Sequence, residues 1–210
     1  MSISPLSNQT NSFLENIKIV TDNLSLKDQI YITTEVSWSQ YEVITQYFVE
    51  QSHYRASYLE GTLQIMSPGR NHEKLKKHIC NLLETYLQES EIDYYPLGST
   101  TFRLQPKQAG KEPDESYCFE IDKEFPDLAI EVVFYSGGID SLKIYKRLQV
   151  KEVWFWQNNK IAIYYLTNDE YAKVTSSRLL PNLDIKLLTQ YISQPNLRLA
   201  IRDFKLELRK

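Results

Sequence analysis

Two stretches of the chain alternate strictly between apolar and polar positions, and both carry acids on the polar side. After Pro113, the residues Tyr117, Phe119 and Ile121 form one face, opposite Asp114, Ser116 and Cys118. After Pro126, Leu128, Ile130, Val132 and Phe134 point one way, while Asp127, Ala129, Glu131 and Val133 point the other. A period of two marks strands, here an antiparallel pair. If both apolar faces join one core, opposed residue numbers must sum to an odd value. The register that pairs Tyr117 with Leu128 then sets Asp114 opposite Glu131. Directly opposed residues have Cβ atoms roughly 4.5–5.5 Å apart, close enough for two carboxylates to hold one divalent ion. Asp127 stands four residues from Glu131, roughly 13 Å at about 3.3 Å per residue, and reads as a neighbour or turn residue. Turn chemistry at Pro-Asp and a buried Glu131 paired with Arg or Lys would explain the hairpin equally simply.

The remaining pattern supplies the frame. Residues 1–30 are Ser/Asn-rich and weakly periodic, which predicts a loose N-terminal arm. A helix is predicted from Ser37, a candidate N-cap, with Tyr41, Ile44, Tyr47 and Phe48 as its stripe. Tyr54–Leu59 and Thr62–Ser67 flank Glu60-Gly61 as a hairpin. Asn71–Glu89 reads as a long helix, with Leu75, Ile79, Leu82, Leu83, Tyr86 and Leu87 at helical spacing. His72 falls on the striped side and Glu73 on the other. Strands are expected at Tyr94–Leu97 and Thr100–Leu104, followed by a loop, Gln105–Lys111. Gly137-Gly138 precedes a short helix, Asp140–Leu148. Val153–Gln157 and Lys160–Leu166 are strands joined by Asn158-Asn159. Leu179–Leu188 suggests a small helix, and Leu197–Leu208 an extended or helical tail. This order predicts an α/β sandwich with a mixed β-sheet flanked by helices. One domain, residues 31–195, would lie between the 1–30 arm and a C-terminal tail, 196–210.

Composition narrows the class. A chain of 210 residues can bury a core without staples, and 42% hydrophobic content suits a globular domain. A net charge of −3 gives no whole-chain signature of nucleic-acid binding, though a local basic strip suffices for it. Arg70, Lys74, Lys76 and Lys77 form such a strip, whose commoner meaning is a solvated face. Two cysteines, Cys80 and Cys118, make no disulfide framework and fit a reducing cytoplasm. The N-terminus does not read as a signal peptide, and no apolar run is long enough for a membrane span.

Taken in order, several short motifs resemble the Uma-two family, a branch of the PD-(D/E)XK restriction-endonuclease-like superfamily. They are Ser37-Trp38-Ser39-Gln40-Tyr41-Glu42, then Tyr58-Leu59-Glu60-Gly61-Thr62 through Ser67-Pro68 with His72-Glu73. Glu112-Pro113-Asp114-Glu115 and Pro126-Asp127-Leu128-Ala129-Ile130-Glu131-Val132-Val133 follow. Ser136-Gly137-Gly138-Ile139-Asp140, Ile144-Tyr145 and Val150-Lys151-Glu152-Val153-Trp154-Phe155-Trp156 complete the series.

The resemblance implies a restriction-endonuclease-like fold and a phosphodiesterase site using Mg²⁺ or Mn²⁺. Asp114 and Glu131 would be the metal ligands, with His72 beside them and Glu73, Asp127 and Arg103 in support. Hard carboxylates suit Mg²⁺ or Mn²⁺ better than zinc. A lysine would help position the water or stabilise developing charge. Two residues after Glu131, where the superfamily places it, stands Val133. On the following helix, four residues before Tyr145, stands Ser141. Lys143 is the nearest lysine there, but a helical wheel puts Ser141 with Tyr145 and Leu148 and turns Lys143 away. Arg103, on the strand before the hairpin, is another donor, although an arginine transfers protons poorly.

Two functions follow. One is a Mg²⁺-dependent DNA endonuclease, its phosphates met by Arg70, Lys74, Lys76 and Lys77. The other is a catalytically impaired nuclease-fold domain that binds partners, with Tyr164 and Tyr165 as candidates for a homodimer surface and core packing as their commoner use.

Overall fold

The computed structural model describes residues 8–23, 29–49, 54–134 and 137–210. Its elements are α1 (Asn8–Asn23), β1 (Gln29–Thr33), α2 (Trp38–Val49), β2 (Arg55–Leu59), β3 (Thr62–Ser67), α3 (Arg70–Glu89), β4 (Tyr94–Pro96), β5 (Phe102–Leu104), β6 (Ala109–Lys111), β7 (Glu115–Phe119), β8 (Leu128–Val132), α4 (Ser141–Arg147), β9 (Glu152–Gln157), β10 (Lys160–Thr167), β11 (Glu170–Val174), α5 (Ile185–Ile192) and α6 (Leu197–Leu208). Five strands form one sheet in the order β1-β3-β2-β6-β5, and six form another in the order β11-β10-β9-β8-β7-β4. All pairs are antiparallel except β8 with β9, so the second sheet is mixed as expected. The whole is a mixed α/β arrangement consistent with a restriction-endonuclease-like fold.

Local chemistry explains the boundaries that matter. Ser37 Oγ accepts from the Gln40 N–H at 3.3 Å while Gln40 Oε1 accepts from the Ser37 N–H at 2.8 Å, a capping box that starts α2. Glu60 and Gly61 both take positive φ, 46° and 83°, as a two-residue hairpin turn requires, and Leu59 pairs with Thr62 across it. Asp140 caps α4 by accepting from the Leu142 N–H at 3.1 Å.

Three apolar layers hold the sheets. The stripe of α3 packs with α5 and α6 on the face of β7 and β8 that carries Tyr117, Leu128 and Ile130. A second layer joins α1 and α2 to the first sheet through Ile17, Tyr41, Ile44, Tyr58 and Ile65. Between them α4 places Ile144, Tyr145 and Leu148 against Phe102, Ala109, Ala129 and Val153, so one helix touches both sheets.

Three expectations change, and one open alternative is decided. The segment read as a loose arm carries helix α1, whose Ile17 is buried in the second layer; residues 1–7 and 24–28 of that segment lie outside the described residues, as does Ser136. The loop Gln105–Lys111 ends in strand β6, inside the first sheet between β2 and β5. A strand, β11, follows β10 where none was expected. Of the two forms offered for Leu197–Leu208 the structure shows the helical one, α6, with Ala200 and Phe204 fully buried in the first layer. Tyr164 is half-buried and packs edge-on against Phe155. Among the described residues no helix is long and apolar enough to cross a membrane.

Candidate functional site

The β7–β8 register is the one that alternation predicts: Tyr117 pairs with Leu128 and Glu115 with Ile130. Asp114, one step before β7, therefore comes level with Glu131. Both are buried, at 2% and 8% exposure. Their carboxylates nonetheless meet different partners.

Asp114 faces β2 and the start of α3. Its Oδ2 accepts from the Val132 N–H at 2.6 Å and lies 3.1 Å from His72 Nε2, while its Oδ1 is paired with the Arg55 guanidinium. His72 Nε2 is also 3.2 Å from the Val132 carbonyl. A ring nitrogen set between two acceptors must carry its proton, so Nε2 is a donor here and not a ligand or base. Arg55 reaches further: Nη2 is 2.7 Å from Glu73 Oε1, and Nε is 3.8 Å from Glu112. Glu73 also binds Lys76 at 2.8 Å. The His72 ring, Lys76 and Arg55 together hold its carboxyl down to about 2, against the effect of burial. Burial has the upper hand at Glu112 and pushes its carboxyl up to about 7, although Arg55, Lys111 and Lys76 oppose the shift.

Glu131 faces α4 and β6. Its Oε1 accepts from the Tyr145 hydroxyl and lies 3.2 Å from Lys111 Nζ. Full burial and the Glu131 charge raise the Tyr145 phenol well above its usual range, so it stays a donor. Lys111 is 6% exposed and donates to Ser57 Oγ at 3.3 Å. This bond follows from the ladder, in which Ser57 and Lys111 are direct cross-strand partners. Alternation along β2 does the rest: Ala56 and Tyr58 enter the core layer of α2, and Arg55 and Ser57 face the acids.

A cavity of about 90 Å³ opens beside Glu131, with Gln64, His72, Lys111 and Ser141 as the other polar residues of its wall. Among the described residues no three His, Cys, Asp or Glu side chains gather as a metal-holding group. The donor chemistry nonetheless fits a hard divalent ion. Glu131 lines the cavity, both of its protein contacts fall on Oε1, and Oε2 has no protein partner among the described residues. Mg²⁺ commonly takes only one or two carboxylates and keeps water on its other positions. Asp114 could join Glu131 only if Arg55 gave up Oδ1.

The structure thus joins Asp114, His72 and Glu73 in one charged network around Arg55, sets Glu131 level with Asp114 in a separate cluster with Lys111 and Tyr145, and places the other candidates elsewhere. Lys143 is 71% exposed with Asp140 as its partner at 4.0 Å, as the helical wheel indicated, while Ser141 lines the cavity. Arg103 donates to Thr45 at 3.0 Å. Asp127 accepts from the Phe119 N–H and binds Lys123 at 2.6 Å, a structural role at the base of the hairpin. Arg70, Lys74 and Lys77 are exposed, and Lys76 belongs to the network through Glu73.

Sequence reasoning missed Arg55, Lys111, Glu112 and the bond from Tyr145. For Arg55 a signal existed: a charge inside a strand otherwise reading Tyr-x-Ala-Ser-Tyr needs a buried acid to meet it. No curated protein matches the chain. The sequence model of Uma2, described as a putative restriction endonuclease, matches residues 38–200, from the start of α2 into α6, and the chain belongs to the Uma2 family.

Proposed function

We propose that the chain is a divalent-metal-dependent endonuclease that hydrolyses phosphodiester bonds of DNA at the Asp114–Glu131 pair. One observation carries this reading: a buried lysine, Lys111, stands 3.2 Å from Glu131 on the wall of the cavity that Glu131 also lines. Glu131, joined by Asp114, would hold Mg²⁺ or Mn²⁺. A bound ion of this kind polarises a phosphoryl oxygen and lowers the pKa of an attacking water.

The protein groups have separable tasks. Tyr145 fixes one oxygen of Glu131 and leaves the other to the cavity. Lys111, steadied by Ser57, puts a positive charge where negative charge would build on the phosphoryl group. His72 and the Val132 N–H orient Asp114 and act as positioning residues. Two buried thiols without a disulfide suit a reducing cytoplasm, where such an enzyme would meet DNA.

A second reading rests on Arg55. Its guanidinium already neutralises Asp114, as in a nuclease-fold domain that binds partners without catalysis. The deciding experiment is isothermal titration of Mn²⁺ into the wild type and Asp114→Ala/Glu131→Ala, with plasmid nicking on the same samples. Binding and nicking that vanish together in the double variant support the nuclease. Binding without nicking supports the second reading, and no binding by the wild type refutes the metal site.

A further inference from the structure

The charged groups on the cavity wall are recessed: Glu131 and Lys111 are both buried, with exposures of 8% and 6%. Apolar side chains, Ile30, Met66, Phe134 and Ile139, line the same cavity. Phe134 stands 46% exposed and Ile30 36%, although both border a site crowded with ionic groups. The Phe134 ring also lies within 6.0 Å of the His72 ring, which ties the apolar wall to the network around Asp114.

A ligand complementary to this shape carries an anion at one end and a flat apolar surface next to it. Paired DNA presents phosphates on a convex backbone and keeps its bases stacked inside, with only their edges in the grooves. It has nothing to set against an exposed phenyl ring within a recess. A nucleotide freed from its stack has both parts, a phosphate for Lys111 and a base face for Phe134. Unstacking is least costly where the strand is already single or mismatched.

We infer that the reacting nucleotide is unpaired, its base packed on Phe134 while its phosphate enters beside Lys111 and Glu131, so that single-stranded or locally unpaired nucleic acid is the preferred substrate. This rests on the nuclease reading of the Asp114–Glu131 pair and adds to it the state of the substrate.

The test measures binding of a short labelled single strand, and of the same sequence as a duplex, to wild type, Phe134→Ala and Phe134→Trp. A 2-aminopurine in the single strand reports stacking by its quenching. Aromatic stacking on a base makes the expected loss in Phe134→Ala about tenfold or more, on the single strand alone. Phe134→Trp should keep both affinity and quenching. The wild type should favour the single strand over the duplex by a similar factor. Phe134 is half in solvent, so its truncation leaves the fold intact, and Phe134→Trp controls for any local change.

Equal or tighter duplex binding, or a single-strand affinity unmoved by Phe134→Ala, overturns the inference. Duplex bound and nicked with Phe134 indifferent would sink it and leave the nuclease standing. If neither form is bound and no plasmid is nicked, the nuclease reading fails and this one with it. Sedimentation of the same samples covers the remaining occupant: a dimer that dissociates in Phe134→Ala, with oligonucleotide binding unchanged, would assign the apolar wall to a second copy.

Discussion

Arg55→Met removes a cation that three acids share, and the cost can be worked partner by partner. Glu73 is 40% exposed and keeps Lys76, so water and the lysine absorb its loss at no more than about 1 kcal/mol. Glu112 sits 3.8 Å from Nε, beyond hydrogen-bond contact. Asp114 dominates because it is 2% exposed and Oδ1 has no other protein partner among the described residues. Breaking a buried pair from one side costs about 3–5 kcal/mol. The Val132 N–H and His72 remain on Oδ2, which argues for the lower end, about 3 kcal/mol. For a chain of this size that lowers Tm by about 6–12 °C. Urea denaturation should show the midpoint falling with an unchanged slope. In Arg55→Met/Asp114→Asn the two losses should overlap by about 2 kcal/mol, since each variant breaks the same contact. Saturating Mn²⁺ should raise Tm more in Arg55→Met than in the wild type, because Oδ1 is then free for the ion. A single variant within about 0.5 kcal/mol of wild type, or strict additivity in the double variant, would refute the reasoning.

Further expectations concern the groups around this pair. Tyr145→Phe keeps the ring and removes only the donor to Glu131, which should cost about 1.5–3 kcal/mol in urea; unchanged stability would contradict that bond. Burial raises the Glu112 carboxyl in the folded state from its ordinary 4.5 to about 7. The folded state then holds the extra proton between those values, so wild-type stability relative to Glu112→Gln should fall as pH rises through that window, its penalty absent below 4.5 and complete above about 7. Urea midpoints at about pH 5 and about pH 8 measure this, and a constant or opposite difference would contradict it. Glu152, fully buried, accepts from Trp154 Nε1 at 2.6 Å and from the Arg178 and Leu179 N–H groups at 2.7 and 3.4 Å. Glu152→Ala should therefore lose about 2 kcal/mol or more while leaving Mn²⁺ binding intact, and a loss of binding would place Glu152 in the site.

How far these groups could be read from sequence depended on the range of the signal. The β7–β8 register was legible because each strand alternates cleanly and Tyr117, Leu128 and Ile130 must share one face. The turn of Lys143 away from the site was legible from helix geometry alone. Helix α1 was not, since only Phe13, Leu14 and Ile17 mark its stripe and packing against α2 holds it. Strand β6 was hidden for a different reason. Ala109-Gly110-Lys111 is too short to alternate, and glycine at 110 reflects the Tyr41 ring packed where a Cβ would stand. Missing β6 meant missing Lys111, whose pairing with Ser57 spans 54 residues and leaves no local trace. Glu112 and Arg55 met for the same reason: ladders built from distant strands, not local pattern, decide which charges share a recess.

The most direct measurement is plasmid nicking in Mn²⁺ by Lys111→Met and by Lys111→Met/Ser141→Lys, with Mn²⁺ titrations on both. Ser141 and Lys111 line the same cavity, so a lysine at 141 can bring its charge to Glu131. We expect Lys111→Met to lose about 10²-fold or more in nicking with the ion still bound, and the second substitution to restore part of it. Nicking at the wild-type rate by Lys111→Met, with Mn²⁺ bound, would show that Lys111 is not the cation of this site.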